Sequence, residues 1–287
     1  MPFTPSHALV ALPFIRTPLV PAAIAIGAMT PDLPLFVRGV GLNYGFTHDA
    51  LNLVWTALIA LALFVIWRVL LRPAVPELMP TAVARRLPAE WSMRGVRAAA
   101  DALGAGRGRG YPVLLAVSLL LGVLSHIAWD LFTHEGRAGV ELLPALDRMW
   151  GPLPGFKWLQ HGSTIVALLV IAVWAARRLR SADVRAGFRS SVPVPVRVAW
   201  WVSLPAILLA AWAVGLIVFG PLTDEFTVQH LAYRVLPPAC ALWGALTFVL
   251  CIVLALRGDR DRRTGDDRAG DHQLGASPAN GRGAPKA

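Results

Sequence analysis

The chain has 287 residues, of which 56% are hydrophobic and only 15% charged, and its mean hydropathy is +0.57. An average soluble domain is about 25% charged, and the apolar residues here fall in long blocks, so the composition excludes a soluble globular protein. The net charge of +10 comes mainly from arginines between those blocks. This is the pattern of the positive-inside rule rather than of a nucleic-acid surface, so no nucleic-acid partner is expected.

The first 37 residues are apolar but interrupted. Two short stretches, 6–15 and 19–29, are separated by Arg16-Thr17-Pro18, and each contains a proline. One interpretation is a single span over 8–29. The other is a re-entrant pair of half-helices that turns at Arg16, which is tolerated at membrane depth only if other helices cover the irregular backbone.

Five later runs are long enough to cross a bilayer, since a spanning helix needs about 20 residues. They cover 49–71, 112–134, 162–179, 198–220 and 231–256. The predicted fold is therefore an all-α polytopic membrane helix bundle over 1–256, with five spanning helices plus the N-terminal hairpin or a sixth span. Pro237-Pro238 predicts a kink or a late start of the last helix.

The arginines between the runs predict the orientation. Link 72–110 has seven arginines against three acids, and link 177–197 has six against one, so both are expected in the cytoplasm. The tail 257–287 is mixed in charge and rich in glycine, and is expected to be cytoplasmic and disordered. The chain is thus predicted to cross the membrane several times, with links 135–161 and 221–230 facing outward.

Residues 89–103 of the first link favour a short helix. Met93, Val96, Ala100 and Leu103 share one side of it, away from the charged residues. Such a helix is typical of a segment on the cytoplasmic membrane surface, and a solvated linker helix is an equal alternative.

Histidines and aspartates collect at the outward end of this topology. Span 112–134 runs outward, so His134 lies at its end, with Asp130 about 6 Å and His126 about 12 Å deeper on the same stripe. The same topology brings three more groups to this face: Asp32, His48 and His161. Only the hairpin interpretation also returns His7, and for that reason we prefer it.

Imidazole and carboxylate groups together are the ligand set of zinc and related divalent metals. A metal would also neutralise aspartates whose burial in a membrane costs about 2.5–3.5 kcal/mol each. The sequence therefore predicts a divalent metal site, zinc above all, with room for more than one ion. Its predicted ligands are His7, Asp32, His48, His126, Asp130, His134 and His161. Of these, His126 and Asp130 are the predicted catalytic residues.

Other histidines and acids have simpler interpretations. A single membrane histidine usually serves as a hydrogen-bonding group between helices, and His230 fits that role. Asp49 is equally interpreted as an acid at a helix N-terminus, and Thr47 as a cap of the same helix.

Five ordered blocks carry a family resemblance. They read MPFTPSHALVALP at 1–13, IGAMTPDLP at 26–34, FTHD at 46–49, LLGVLSHIAWDLFTHEG at 120–136 and WLQHGSTIVALL at 158–169. They resemble successive blocks of a bacterial membrane protein family described only as domain of unknown function 4184. The resemblance covers about residues 1–256 and implies a membrane protein without implying an activity.

A more remote resemblance points to chemistry. The early Pro-Asp and the later Ser-His-x3-Asp are similar to the inner-membrane metal-dependent hydrolases, which in turn resemble the zinc phospholipase C group. His126 and Asp130 match the HxxxD element of that group, whereas His134 follows Asp130 by four residues where the soluble enzymes have six. The resemblance implies a zinc-dependent hydrolase of a phosphoester or lipid-linked substrate.

Two other functions remain open. The His/Asp stripe is also typical of a proton relay or a transporter, although the inner halves of the spans are apolar apart from Arg68. A structural membrane protein would use the same stripe only for helix packing.

Overall fold

Five helices long and apolar enough to cross a membrane dominate the computed structural model, which describes residues 3–37 and 41–274, with side chains to residue 257. They are span 1 (Ala50–Leu78), span 2 (Tyr111–Thr133), span 3 (Gly155–Arg180), span 4 (Val194–Phe219) and span 5 (Val228–Arg257). The predicted all-α polytopic bundle is therefore confirmed.

Shorter elements complete the described chain. Span 1 is continuous but changes pitch, with a 3-10 turn at Ala50–Asn52, a π segment at Trp67–Leu71 and α-helix over Leu53–Ile66 and Arg72–Leu78. The remaining 3-10 helices are Thr4–Phe14, Thr30–Leu35 and Ala89–Ser92. The remaining α-helices are Pro21–Met29, Tyr44–His48, Thr81–Ala84, Gly95–Ala102 and Ala138–Leu142. Two short strands, Met149–Trp150 and Leu153–Pro154, pair antiparallel.

The N-terminal segment is a hairpin that enters and leaves the bundle at the same end. Thr4–Phe14 descends and Pro21–Met29 returns, and at the turn the backbone N–H of Val20 donates to Oγ of Ser118 at 2.9 Å. Ser118 lies 15 residues, or roughly 22 Å, along span 2 from its end at Thr133. The hairpin thus turns before the far end of span 2, which decides against a single crossing over 8–29.

Small residues let the hairpin lie directly against span 2. A Cβ built on Gly122 would stand 2.9 Å from Cα of Gly27 and 2.7 Å from the backbone nitrogen of Ala28. Backbone meets backbone at this point, in the manner of small-residue contacts between membrane helices. Below it, a buried apolar cluster that includes Phe64 and Leu119 joins the hairpin to spans 1 and 2.

The two arginine-rich links and the end of span 5 meet at the opposite end of the bundle. The backbone N–H of Arg185 donates to the carbonyl of Arg85 at 2.8 Å, which joins the second link to the first. Arg94 pairs with Glu77 at 3.1 Å and donates to the carbonyl of Leu254 in span 5. Their meeting at one end agrees with the predicted alternation, while the side of the membrane remains a prediction. We call this end the Arg end and the other the site end.

The last helix begins earlier than the sequence predicts. It runs Val228–Leu274 with both prolines inside it, so the predicted late start is wrong. The turns before the prolines bury Leu231 and Val235 against Gly215 of span 4, and this packing offsets the backbone hydrogen bonds that proline removes. Residues 257–274 continue that helix, and residues 275–287 of the predicted disordered tail lie outside the described residues.

The predicted link helix over 89–103 is divided into two short helices. In the second one, Ala98 and Ala102 are fully buried, while Val96 and Leu103 are exposed. The small alanine side therefore faces the bundle, and the larger apolar side chains point away from it. Its position on a membrane surface remains a prediction.

Candidate metal centre

His126 is the centre of the polar cluster at the site end. Its side chain is fully buried in span 2, and its Nδ1 lies 2.7 Å from the carbonyl oxygen of Ala28. A carbonyl only accepts hydrogen bonds, so Nδ1 carries the proton and Nε2 presents its lone pair. The contact between Gly27 and Gly122 brings Ala28 within this range.

A second histidine presents its lone pair to the same point. Nδ1 of His48 lies 2.9 Å from the carbonyl oxygen of Tyr44, so its Nε2 is also an acceptor. The two Nε2 atoms of His48 and His126 are only 3.2 Å apart. Two lone pairs at this distance repel each other unless a cation lies between or beside them. The carbonyls thus orient both rings, as outer partners of metal-bound histidines do.

Carboxylates surround the two imidazoles. Asp130 Oδ2 lies 3.5 Å from Nε2 of both His48 and His126, and Asp32 Oδ1 lies 3.6 Å from Nε2 of His126. His7 stacks on His126 with ring centroids 4.0 Å apart. The described residues thus contain two groups whose ligand atoms lie within 4.8 Å of one another and could hold a metal ion. One is His7, Asp32 and His126, and the other is His48, His126 and Asp130.

Three polar atoms of this cluster have no hydrogen-bond partner among the described residues. They are His7 Nε2, Asp32 Oδ1 and Asp130 Oδ1, all buried. Orphaned polar atoms cost about 1–3 kcal/mol each, and more when charged. The remaining carboxylate oxygens are satisfied, because Thr4 donates to Asp32 Oδ2 at 2.7 Å and Tyr44 donates to Asp130 Oδ2 at 3.2 Å. In Asp32 the oxygen nearer His126 is the free one and the other is held by Thr4, which is the arrangement expected of a metal ligand with an outer partner.

His134 lies beside the cluster but outside both groups. Span 2 ends at Thr133 and His134 has extended backbone, so it leaves the stripe that a continued helix would have given it. Its Nδ1 lies 3.2 Å from the carbonyl of Asp130, and the Gln160 amide donates to its Nε2 at 3.3 Å. Oε1 of Gln160 in turn accepts from Lys157. Both ring nitrogens of His134 are therefore engaged, and Nδ1 also lies 3.6 Å from Oδ1 of Asp130.

His161 is exposed on span 3 and also lies outside both groups. Span 3 begins at Gly155, seven residues before the predicted start, and the side chain that faces inward is the fully buried Gln160. An amide within an apolar run is a signal that could have identified Gln160. Nothing in the residue types of Thr4 or Tyr44 could have identified those two.

Of the simpler interpretations of other groups, only that of Asp49 agrees with its contacts. The Asp49 side chain accepts from the backbone N–H of Leu51 and so caps the 3-10 turn at the start of span 1. Thr47 instead donates to the carbonyl of Pro31 at 2.7 Å, so its predicted capping role is wrong. His230 accepts from the backbone N–H of Thr227 at the start of its own span, so this contact lies within one helix start and not between helices as predicted.

Both acidic and basic side chains lie at the outer edge of the cluster. Burial and the carboxylates of Asp130 and Asp32 raise the pKa of Tyr44, so its phenol remains an O–H donor, while Arg137 acts in the opposite sense. Burial also lowers the pKa of His134, and the charge of Lys157 acts in the same direction. His134 is therefore neutral at pH 7, and two cationic side chains lie near the site.

The molecule belongs to a family defined by sequence. The family model for Domain of unknown function (DUF4184) matches residues 1–256, which include all five spans and the whole His/Asp cluster. The chain belongs to the DUF4184 family. No curated protein and no solved structure matches it. Membership of DUF4184 confirms the family resemblance, and the more remote likeness to metal-dependent hydrolases receives no support from these comparisons.

Proposed function

We propose that this protein is a metal-dependent hydrolase whose divalent metal, zinc in the first instance, is held at the extracytoplasmic end of the bundle. The observation that carries the proposal is the 3.2 Å approach of two imidazole lone pairs, on His48 and His126, inside a buried ring of carboxylates. Its ligands are His7, Asp32, His48, His126 and Asp130. His134 acts through Asp130 rather than as a ligand.

Protonation of one of the two imidazoles would explain only part of this arrangement. It would relieve the contact between His48 and His126 but leave His7 Nε2, Asp32 Oδ1 and Asp130 Oδ1 without partners. A metal shared by these atoms would satisfy all of them and neutralise both carboxylates. The two overlapping ligand groups share His126 and are consistent with one ion or a pair.

The apolar core argues against the rival proton relay. A relay needs polar groups across the whole bilayer. Between the cluster and the next charged pair in the described residues, Arg68 with Asp101, lie buried apolar residues that include Phe64, Leu119 and Val123. The polar groups therefore form a closed site at one end rather than a path.

A bound divalent metal would supply Lewis acidity and lower the pKa of a coordinated water, which suits hydrolysis of a phosphoester. The protein's own groups fit the remaining tasks. His126 would hold the metal through Nε2, and Asp130 would orient the reacting water with a carboxylate oxygen that is not bound to the metal, while the Tyr44 hydroxyl fixes Asp130 by a hydrogen bond. Arg137 and Lys157 favour an anionic substrate, because they place positive charge near the site.

Elemental analysis of the full chain, purified in detergent without chelators, tests the metal. We expect stoichiometric zinc, manganese or iron in the wild type and its loss in His126→Ala and His48→Ala. His161→Ala and His230→Ala are matched controls that should keep the metal, since both residues lie outside the ligand groups. Metal-loaded protein is then assayed on phosphoester substrates, with Asp130→Asn expected to lose turnover. A wild type that neither retains nor takes up metal overturns the proposal.

A further inference from the structure

An apolar groove runs along the outside of the hairpin and ends at the candidate metal centre. We call it the lateral groove. It has a volume of about 470 Å³ and lies between the descending hairpin helix and spans 2 and 3. Its walls include Leu9, Val10, Pro13, Trp129, Val166 and Ala167. Val166 is 57% exposed and Trp129 39%, so the groove opens sideways, at a depth where bilayer lipid surrounds the bundle.

The inner end of the lateral groove is polar. Ser6, His7, Ser125 and Ser163 line it there. His7 is only 9% exposed, and its Nε2 has no hydrogen-bond partner among the described residues. The same imidazole stacks on His126 and belongs to one of the two ligand groups. A molecule that fills the groove would therefore bring its polar end to the metal centre.

The length of the groove indicates what can occupy it. Its length along the 3-10 helix from Ser6 to Pro13 is seven residues, or about 14 Å. That is close to half of a hydrocarbon core of about 30 Å, the depth that one acyl chain occupies. The groove is therefore long enough for one acyl chain, and its open side lies where bilayer lipid surrounds the bundle.

We propose that the lateral groove binds one acyl chain of a diacyl phospholipid from the surrounding leaflet and presents its phosphate end at His7. This inference rests on the proposed function and names the substrate class of the same site. The second chain remains in bulk lipid, which the open outer side of the groove permits. Arg137 and Lys157 provide positive charge at the site end that complements the phosphate.

Photolabelling of the reconstituted full chain tests the groove. The vesicles contain phosphatidylethanolamine and phosphatidylglycerol, with a trace of phosphatidylglycerol carrying a diazirine in one acyl chain. Labelled peptides are mapped by mass spectrometry. We expect labelling of residues 6–13 and 163–167 to exceed that of the apolar surface around Val54 and Leu58, which also faces lipid but leads to no polar site.

Groove-filling variants supply the control. Val166→Trp, or Leu9→Trp from the opposite wall, should reduce groove labelling to the level of the Val54 surface while the metal content stays at the wild-type value. Val54→Trp is the matched variant, because Val54 is 64% exposed and lines a similar apolar surface. It should leave groove labelling unchanged.

The two proposals fail in different ways. Equal labelling of both surfaces in the wild type, or undiminished groove labelling in both tryptophan variants, overturns the lipid site whatever the metal content. Absence of metal from a wild type that still shows groove labelling overturns the hydrolase and leaves the lipid site supported.

Discussion

Replacement of Gly122 by alanine should disable the metal centre without touching any ligand. The new Cβ would stand 2.9 Å from Cα of Gly27 and 2.7 Å from the Ala28 nitrogen, where ordinary contacts are 3.4 Å or longer. The carbonyl oxygen of Ile24 is closer still, and all three neighbours are backbone atoms, so the hairpin must move outward by roughly 1 Å. Overpacking of this kind costs about 1–3 kcal/mol, against which alanine gains up to about 1 kcal/mol of helix propensity over glycine.

The same displacement reaches the site through Ala28. The 2.7 Å contact of its carbonyl with Nδ1 of His126 would lengthen, and Asp32 would move with the hairpin. Metal–ligand distances tolerate only about 0.2 Å. Loss of an outer partner typically costs 10–100-fold in metal affinity, so we expect a loss of about that size in Gly122→Ala.

A zinc titration against a competing chelator dye measures this effect. Gly244→Ala is the matched control: it lies inside span 5 with nothing within 4 Å of its added Cβ, and should titrate like the wild type. Thermal unfolding of both variants shows that they are folded at the assay temperature. Wild-type zinc affinity in a folded Gly122→Ala would refute the argument that backbone contact positions the ligands.

Three further substitutions test groups that lie progressively further from the proposed metal. Thr4→Val removes the 2.7 Å hydrogen bond to Asp32, so it should weaken zinc binding by about 10–100-fold while the melting temperature changes little; an unchanged zinc titration would contradict this. Gln160→Leu removes the amide that donates to Nε2 of His134. We expect this variant to keep its full metal content but to have a lower kcat on phosphoesters, measured by elemental analysis and steady-state kinetics. Arg68→Met breaks the partly buried pair with Asp101 at the Arg end, which should lower the melting temperature but leave zinc stoichiometry intact; metal loss in the folded variant would show that the two ends are coupled.

The five spans, and which of their ends lie together, could be predicted from the sequence because they depend only on length, apolarity and arginine counts. None of these needs knowledge of side-chain packing. The sequence favours the hairpin over a single span across 8–29 only because the hairpin returns His7 to the side of the other histidines, and the break at Arg16 alone could not decide between the two. The early start of the last helix could not be predicted, because the burial of Leu231 against Gly215 is a tertiary contact that outweighs the proline signal.

In the candidate site, too, some residues could be placed from the sequence and others could not. Ligands on well-defined segments, such as His126 and Asp130 on one helix face, could be placed by periodicity. His134 could not, because the helix ends one residue before it and the backbone becomes extended. The carbonyls of Ala28 and Tyr44, which orient two imidazoles, have no signature in residue type at all.

The hairpin imposes an order on biosynthesis. Its first helix has 11 residues, too few for the roughly 20 that a membrane-inserted helix requires, so it has no stable place in the bilayer when it leaves the ribosome. The backbone N–H of Phe3 donates to Thr164 Oγ1 at 3.2 Å, a partner synthesised 161 residues later. The first hairpin helix therefore obtains this partner only after span 3 is inserted. If the cluster binds the proposed metal, the site is complete for loading only after that insertion.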